Sequence, residues 1–86
     1  MGAVSAETQA RVTKAARRYE RADTEMKAAR AELSFAMLDL RDETAETGKP
    51  LANEKIARMT PLSNTQVYRM IGWAESERAK AAAAES

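Results

Sequence analysis

The stretch that decides the fold is IARMTPLSNTQVYRMI, at residues 56–71. Two short helical patterns follow a break at residues 48–50, and Pro61 separates them because proline disfavours a helical conformation in the residue before it. The first pattern covers residues 53–59. The second begins at Ser63 and repeats apolar residues at the spacing of one helical face. Those residues are Val67, Met70 and Ile71. The stretch therefore predicts two helices joined by a tight turn.

The start of the second helix carries a capping signal. Ser63 and Gln66 form a Ser-x-x-Gln pair, in which each side chain can bond the other residue's backbone N–H. Ahead of the turn, Ile56 and Ala57 are the apolar residues of the first helix, and Leu51 precedes them. These signals predict where the second helix begins and which face of the first one is buried.

The run from Ile56 to Ile71 resembles the helix-turn-helix of bacterial DNA-binding proteins, as found in small regulators, recombinases and sigma-factor DNA-binding regions. In that family an Ile-Ala pair opens the motif, a Leu-Ser pair ends the turn, a Val packs the second helix, and a Tyr-Arg pair follows. All four pairs or residues stand here in that order. The resemblance covers residues 51–72 and implies that the second helix enters the major groove of DNA.

One residue departs from the family pattern. The family usually has glycine in the turn, where this chain has Pro61. Glycine permits a positive φ, whereas proline fixes φ near −65° and restricts Thr60 before it. We therefore expect a turn of different construction, with the first helix ending at Met59.

The resemblance places the DNA contacts on the polar face of the second helix and on the first helix. Asparagine and glutamine can pair with adenine edges, threonine and tyrosine can touch thymine methyls or phosphates, and arginine can bind guanine or phosphate. A solvated face without a ligand is the alternative, although such faces more often carry Glu and Lys. The candidate residues are Ser63, Asn64, Thr65, Gln66, Tyr68 and Arg69, together with Lys55 and Arg58.

A long helix precedes this unit. Residues 5–47 contain neither Gly nor Pro and are rich in Ala, Arg, Glu, Lys and Leu, which favour helix. Ser5 can cap its start, Glu7 lies in the first turn, and Gly48 followed by Pro50 is a typical stop. At about 1.5 Å per residue the helix would be roughly 60 Å long. No core of 86 residues is that long, so part of the helix should meet a partner.

The apolar residues of this helix have coiled-coil spacing. Large residues recur every seven positions, and alanine stands three residues after each of the first four, as in the a and d positions of a heptad. The large residues are Val12, Tyr19, Met26, Leu33 and Leu40, and the alanines are Ala15, Ala22, Ala29 and Ala36. An antiparallel pair sets each large residue against a small one and fills space evenly. We therefore expect an antiparallel homodimer through positions 12–29, with a monomeric alanine-rich helix as the alternative.

Charge selects the register of this pair. With Tyr19 opposite Ala22 of the second copy, Arg18 lies beside Glu25 of the second copy on both sides. A shift by one heptad would set Glu25 against Glu25, and like charges repel. The favoured register pairs residues 8–33 or so, with the two-fold axis near residue 20. If each DNA-binding unit packs near residue 40, the two units lie roughly 60 Å apart, which suits half-sites about two turns apart or on separate duplexes.

The predicted architecture is all-α, with a long coiled-coil helix followed by a helix-turn-helix. Residues 1–49 form the helix, which pairs over about 8–33 and packs on the motif over about 33–47. Residues 50–74 form the DNA-binding unit, in which we expect Trp73 to pack on the long helix near Leu40. Residues 75–86 are an alanine-rich tail, helical or frayed.

Composition excludes several classes of function. The chain has no Cys and no His, which removes disulfides, thiolate zinc sites and the commonest general base. We expect no enzyme activity, no metal, no cofactor and no small-molecule ligand. The first ten residues lack the pattern of a signal peptide or anchor, Ala6 stands where myristoylation needs Ser or Thr, and no apolar run approaches a membrane span. A cytoplasmic protein is expected.

The function predicted is sequence-specific binding of double-stranded DNA by a helix-turn-helix dimer, as a bacterial, plasmid or phage transcriptional regulator. The alternative is a non-enzymatic interaction module that uses the long helix, of scaffold, segregation-complex or anti-activator type. A non-specific nucleoid protein is disfavoured by the net charge of only +1.

Overall fold

The computed structural model describes residues 5–85, and the predictions that concern residues 1–4 and 86 lie outside this range. Three helices account for most of it: α1 at Ala6–Glu46, α2 at Asn53–Arg58 and α3 at Asn64–Glu85. The described part of the chain has no strand. The prediction of an all-α chain with one long N-terminal helix is confirmed.

Helix α1 begins and ends where its sequence signals predict. The backbone N–H of Thr8 donates to the Ser5 hydroxyl at 3.1 Å, which caps the first turn. After Glu46 the chain passes Thr47 to Gly48, whose φ of +149° strongly favours glycine because it has no Cβ. Its 41 residues give a rod of about 60 Å, most of the molecule's longest dimension of 69 Å.

A side-chain bridge returns the chain toward α1 after this stop. The Thr44 hydroxyl donates to the carbonyl oxygen of Leu40 at 3.0 Å and accepts the backbone N–H of Leu51 at 2.8 Å. This bridge fixes the segment that leads into α2, and Leu51 then packs against the core.

The core lies where α2 and α3 pack on the C-terminal third of α1. The predicted inner residues Ile56, Ala57, Val67 and Ile71 are all buried, and Ala74 extends this face by one turn. Helix α1 contributes three buried side chains to this core, Ser34, Met37 and Leu38. The single buried polar side chain among the described residues is Ser34, whose hydroxyl donates to the carbonyl oxygen of Arg30 at 2.7 Å.

The face that α1 gives to this core differs from the heptad face. Ala36 is exposed, and Leu33 and Leu40 are only half-buried at its edge. At about 100° per residue, the buried residues Met37 and Leu38, with Ser34, are centred about a third of a turn around the helix from the heptad positions. The core is therefore built beside the heptad face and leaves most of that face free.

The C-terminal part of α3 is clamped to α1. The Trp73 ring lies 5.5 Å from the Phe35 ring, and the Arg78 guanidinium lies 5.3 Å from the same ring while bonding Asp39 at 2.6 Å. Trp73 thus packs on the long helix as predicted, but the side chain that its ring meets is Phe35, whereas Leu40 was expected. Residues 75–85 continue α3, so the tail is helical over the described range.

No helix within residues 5–85 combines the length and the apolar character that crossing a bilayer requires.

Candidate nucleic-acid interface

The turn between α2 and α3 is built without a positive φ. Helix α2 is capped by Met59, as the proline variant predicts, and within residues 5–85 the one positive φ is at Gly48. The Thr60 hydroxyl holds the turn, since it donates to the carbonyl oxygen of Ala57 at 3.0 Å and accepts the N–H of Leu62 at 3.1 Å. The Thr60 side chain therefore stabilises this turn, whereas the motif that the sequence resembles uses a glycine with a positive φ.

The predicted capping box is present at the start of α3. The Gln66 N–H donates to the Ser63 hydroxyl at 3.2 Å, and the Ser63 N–H donates to the Gln66 side-chain oxygen at 2.9 Å. Because the cap uses one lone pair of that oxygen and fixes the direction of the amide, Gln66 keeps its NH₂ and one acceptor position for a ligand. Ser63 and Gln66 therefore act first in positioning α3.

Two flanks of α3 border its buried face. On one flank, Gln66, Arg69 and Met70 meet α1 and line a groove of about 370 Å³. On the opposite flank, Tyr68 borders a hollow between α2 and the end of α1, and its side chain is 71% exposed. Asn64 and Thr65 are exposed at the first turn. The candidate contact residues of α3 are thus gathered toward its N-terminal end.

Charges are distributed unevenly along α3. Toward its C-terminal end the cations are neutralised, with Arg41 bonded to Glu75 at 3.2 Å and Arg78 bonded to Asp39. Near its N-terminal end Arg69 and Arg30 line the same groove, and neither forms an ion pair with any residue of 5–85. No acidic side chain lines that groove. Positive charge accumulates where the helix dipole is also positive.

Arg30 is a member of this site that sequence reasoning missed. It lies on α1 more than thirty residues before the turn, and only the packing of α1 beside α3 brings it to Arg69. Its signal in the sequence is weak, because it is one of several arginines of α1. Lys27 lines the adjoining hollow with both arginines but bonds Asp23 at 3.0 Å.

The two candidate contact residues on α2 differ in whether they form an ion pair. Lys55 is exposed and forms no ion pair within the described range. Arg58 is engaged by Glu54 at 2.7 Å, one helical turn earlier. Lys55 is therefore the freer phosphate-binding group of the two.

Arg41 joins the C-terminal part of α1 to α3 through its ion pair with Glu75. The hydrogen bond that Arg41 donates to the Glu75 carboxylate raises the pKa of Arg41, and the nearby carboxylate of Asp42 adds to this effect. The guanidinium therefore stays charged and keeps α1 joined to α3 behind Tyr68.

The predicted dimerisation residues all lie on α1 and are exposed in the single chain. Their large members are 64%, 74% and 61% exposed at Val12, Tyr19 and Met26. Met26 and Ala29 also line the groove beside α3, together with Leu33. The heptad face therefore runs directly into the candidate interface.

No cluster of acidic residues in positions 5–85 has the arrangement of a metal site, and no buried side-chain polar atom there lacks a hydrogen-bond partner. In comparisons with known proteins, no family model, no curated protein and no solved structure matches this chain.

Proposed function

We propose that this protein binds double-stranded DNA through the N-terminal end of α3. One observation carries the proposal: Arg30 and Arg69 stand together, without ion pairs, beside the positive end of a capped helix. Uncompensated guanidinium groups next to a helix N-terminus suit the phosphate backbone of a duplex. At the other end of α3 the same residue types are neutralised within the fold.

The residues divide into two roles in this proposal. Arg69, Arg30 and Lys55 bind phosphates and fix the orientation of the protein on the duplex. Asn64, Thr65 and Tyr68 project from the first two turns of α3 toward base edges in the major groove, where asparagine pairs with adenine and the other two contact thymine methyls. Ser63 and Gln66 hold the first turn in shape.

The biological function that we propose is transcriptional regulation by a non-enzymatic cytoplasmic protein of a bacterium, plasmid or phage. A second candidate function is a protein-interaction module, and the exposed apolar face of α1 specifically favours it. The two candidates meet at the groove beside α3 but use different residues away from it, so variants of Asn64 on α3 and of Tyr19 on α1 can separate them.

The test is a selection of bound sequences from a random duplex pool at physiological salt, followed by affinity measurements on the enriched site. Arg69→Ala should weaken binding by about 5- to 100-fold, because one charged contact is lost. Lys80→Ala is the matched control: it removes the same charge from the same helix, at an exposed position paired with Glu77. It should change affinity by less than about twofold.

The outcomes distinguish three readings. Enrichment of a site, with loss in Arg69→Ala and Asn64→Ala, supports regulation. Equal affinity for all duplexes, falling steeply with salt, indicates a nucleoid protein that binds phosphates only. No duplex binding by the wild-type chain at physiological salt overturns the proposal and leaves the interaction module.

A further inference from the structure

We propose that the exposed heptad face of α1 and the groove beside α3 together form the docking site for a second copy of this chain in antiparallel orientation. The proposal concerns the partner of this surface and holds whether or not the protein binds DNA. Its starting point is that the largest exposed apolar side chains of residues 5–32 lie on one face. That face continues into the groove beside α3, whose large apolar lining residues are Met26, Leu33, Leu62 and Met70 and whose cationic ones are Arg30 and Arg69.

Charge complementarity identifies the occupant as another copy. With Tyr19 opposite Ala22 of the second copy, the charged residues along one edge of the face meet their opposites. Arg18 then lies beside Glu25 of the second copy, and Arg11 beside Glu32 of the second copy; the two-fold axis repeats both pairs. None of these four side chains forms an ion pair within residues 5–85 of its own chain. Opposite charges at such flanking positions set partner choice and orientation.

The same register fills the groove. It brings Val12 of the second copy to Ala29, which is one wall of the groove. On the side that faces α3, the second copy places Gln9 beside Arg30 at this level, and Ala16 lies one heptad further along, beside Asp23. A large side chain against a small one at each layer gives even packing.

The position of α3 on α1 determines which face of the dimer carries the two α3 helices. Ser34, Met37 and Leu38 contact α3 from the side of α1 opposite to the edge that carries Arg11 and Arg18. In an antiparallel pair, each edge of α1 lies beside the same edge of the second copy. Both α3 helices therefore stand on the same face of the dimer. The ion pairs line the opposite face.

The spacing predicted from the sequence changes as a result. That prediction placed each unit near residue 40, whereas the N-terminal end of α3 lies beside residues 26–33 of α1. These residues lie about nine positions from the two-fold axis, which puts the two N-terminal ends roughly 30 Å apart along the pair. One turn of duplex is about 34 Å, so, given the proposed function, the dimer suits half-sites one turn apart.

Cysteine cross-linking tests the orientation, and the absence of native Cys makes it clean. In the proposed dimer Val12→Cys and Ala29→Cys chains, mixed and oxidised, form a disulfide between the two variants. Each variant alone forms none, because its two thiols would lie about 25 Å apart. A parallel dimer gives the reverse, with cross-links in each single variant and none specific to the mixture. That reverse result, or a wild-type chain monomeric by sedimentation at high micromolar concentration, overturns the proposal.

Charge reversal tests the register without cysteine. Arg18→Glu sets like charges at Glu25 of the second copy, and we expect at least a tenfold rise in the dimer dissociation constant. Adding Glu25→Arg restores opposite charges and should return the constant to within about threefold of wild type. In a parallel pair these positions face Asp23 and Arg30 of the second copy, so the double variant would be worse than the single one. Failure of rescue therefore overturns the antiparallel register, while DNA affinity is measured separately.

Discussion

The two parts of α1 differ in what they contact, although they belong to one continuous helix. Residues 33–46 pack on α2 and α3 and bury Met37 and Leu38 almost completely. Residues 6–32 bury none of their side chains in the single chain. Yet the N-terminal part carries the longer apolar repeat, with Tyr19 74% exposed at its centre.

This difference shows that a sequence repeat identifies an apolar helix face but not the element that packs on it. The heptad positions continue through Leu33 and Leu40, so the pattern alone suggests one seam from end to end. The core instead approaches α1 from the side, about a third of a turn away, where Ser34 is completely buried. A seven-residue repeat is matched to another helix of the same pitch that lies along it, whereas α3 packs on α1 from one side, between the groove at Met26 and the ion pair at Arg41.

The sharpest way to separate the two parts is truncation of one large residue in each. Ile56→Ala should lower the free energy of unfolding by about 2–5 kcal/mol, because a fully buried side chain leaves a cavity. Val12→Ala, at a position 64% exposed in the single chain, should change it by less than about 0.5 kcal/mol when the protein is dilute and monomeric. Urea titration followed by circular dichroism measures both.

Protein concentration is the control for this pair. At concentrations where the chain is dimeric, Val12→Ala should become destabilising and Ile56→Ala should keep its effect. Equal losses for both variants in dilute solution would mean that residues 6–32 have intramolecular contacts, contrary to the fold described here.

The elements of the fold follow from local signals that the sequence displays. Ser5, Gly48, Pro61 and the Ser63 capping box mark the helix ends, because capping and backbone restriction act within a few residues. The partners of α1 do not follow in the same way. Phe35 lies off the heptad, and its contact with Trp73 depends on how α3 crosses α1, which no local spacing encodes.

The turn gives a second comparison, between a threonine that holds structure and one that is free. Thr60→Val keeps the shape of the side chain but removes two hydrogen bonds, and should cost about 1–2 kcal/mol of stability. Thr65→Val, at an exposed position of α3 with no side-chain hydrogen bond in the described range, should cost less than about 0.5 kcal/mol. Thermal unfolding of the two variants side by side measures the difference. Near-equal melting temperatures would show that the turn does not depend on the Thr60 hydroxyl.

The exposure of the candidate interface residues was predictable from the sequence, but the membership of the surface was predictable only in part. The exposed residues Asn64, Thr65, Tyr68 and Arg69 follow from the helical period, because α3 buries Val67 between them. The engagement of Gln66 in the cap also follows from spacing, but which of its polar positions stay open for a ligand emerges only from the hydrogen bond itself. Arg30 required the tertiary arrangement, since its neighbour Arg69 is distant in sequence.

The smallest expected effect compares an ion pair between helices with one inside the exposed part of α1. Arg78→Ala removes a contact to Asp39 and the approach to the Phe35 ring, and should cost about 1 kcal/mol. Lys27→Ala breaks the Asp23–Lys27 pair within α1, which is worth about 0.3–0.5 kcal/mol and is offset by the helix propensity of alanine. Raising the salt concentration during denaturant titration should reduce the effect of Arg78→Ala only in part, because its contact with the aromatic ring persists. If Lys27→Ala proved the more destabilising in dilute solution, residues 6–32 would need a tertiary partner within the same chain, and the distinction between the two parts of α1 would fail.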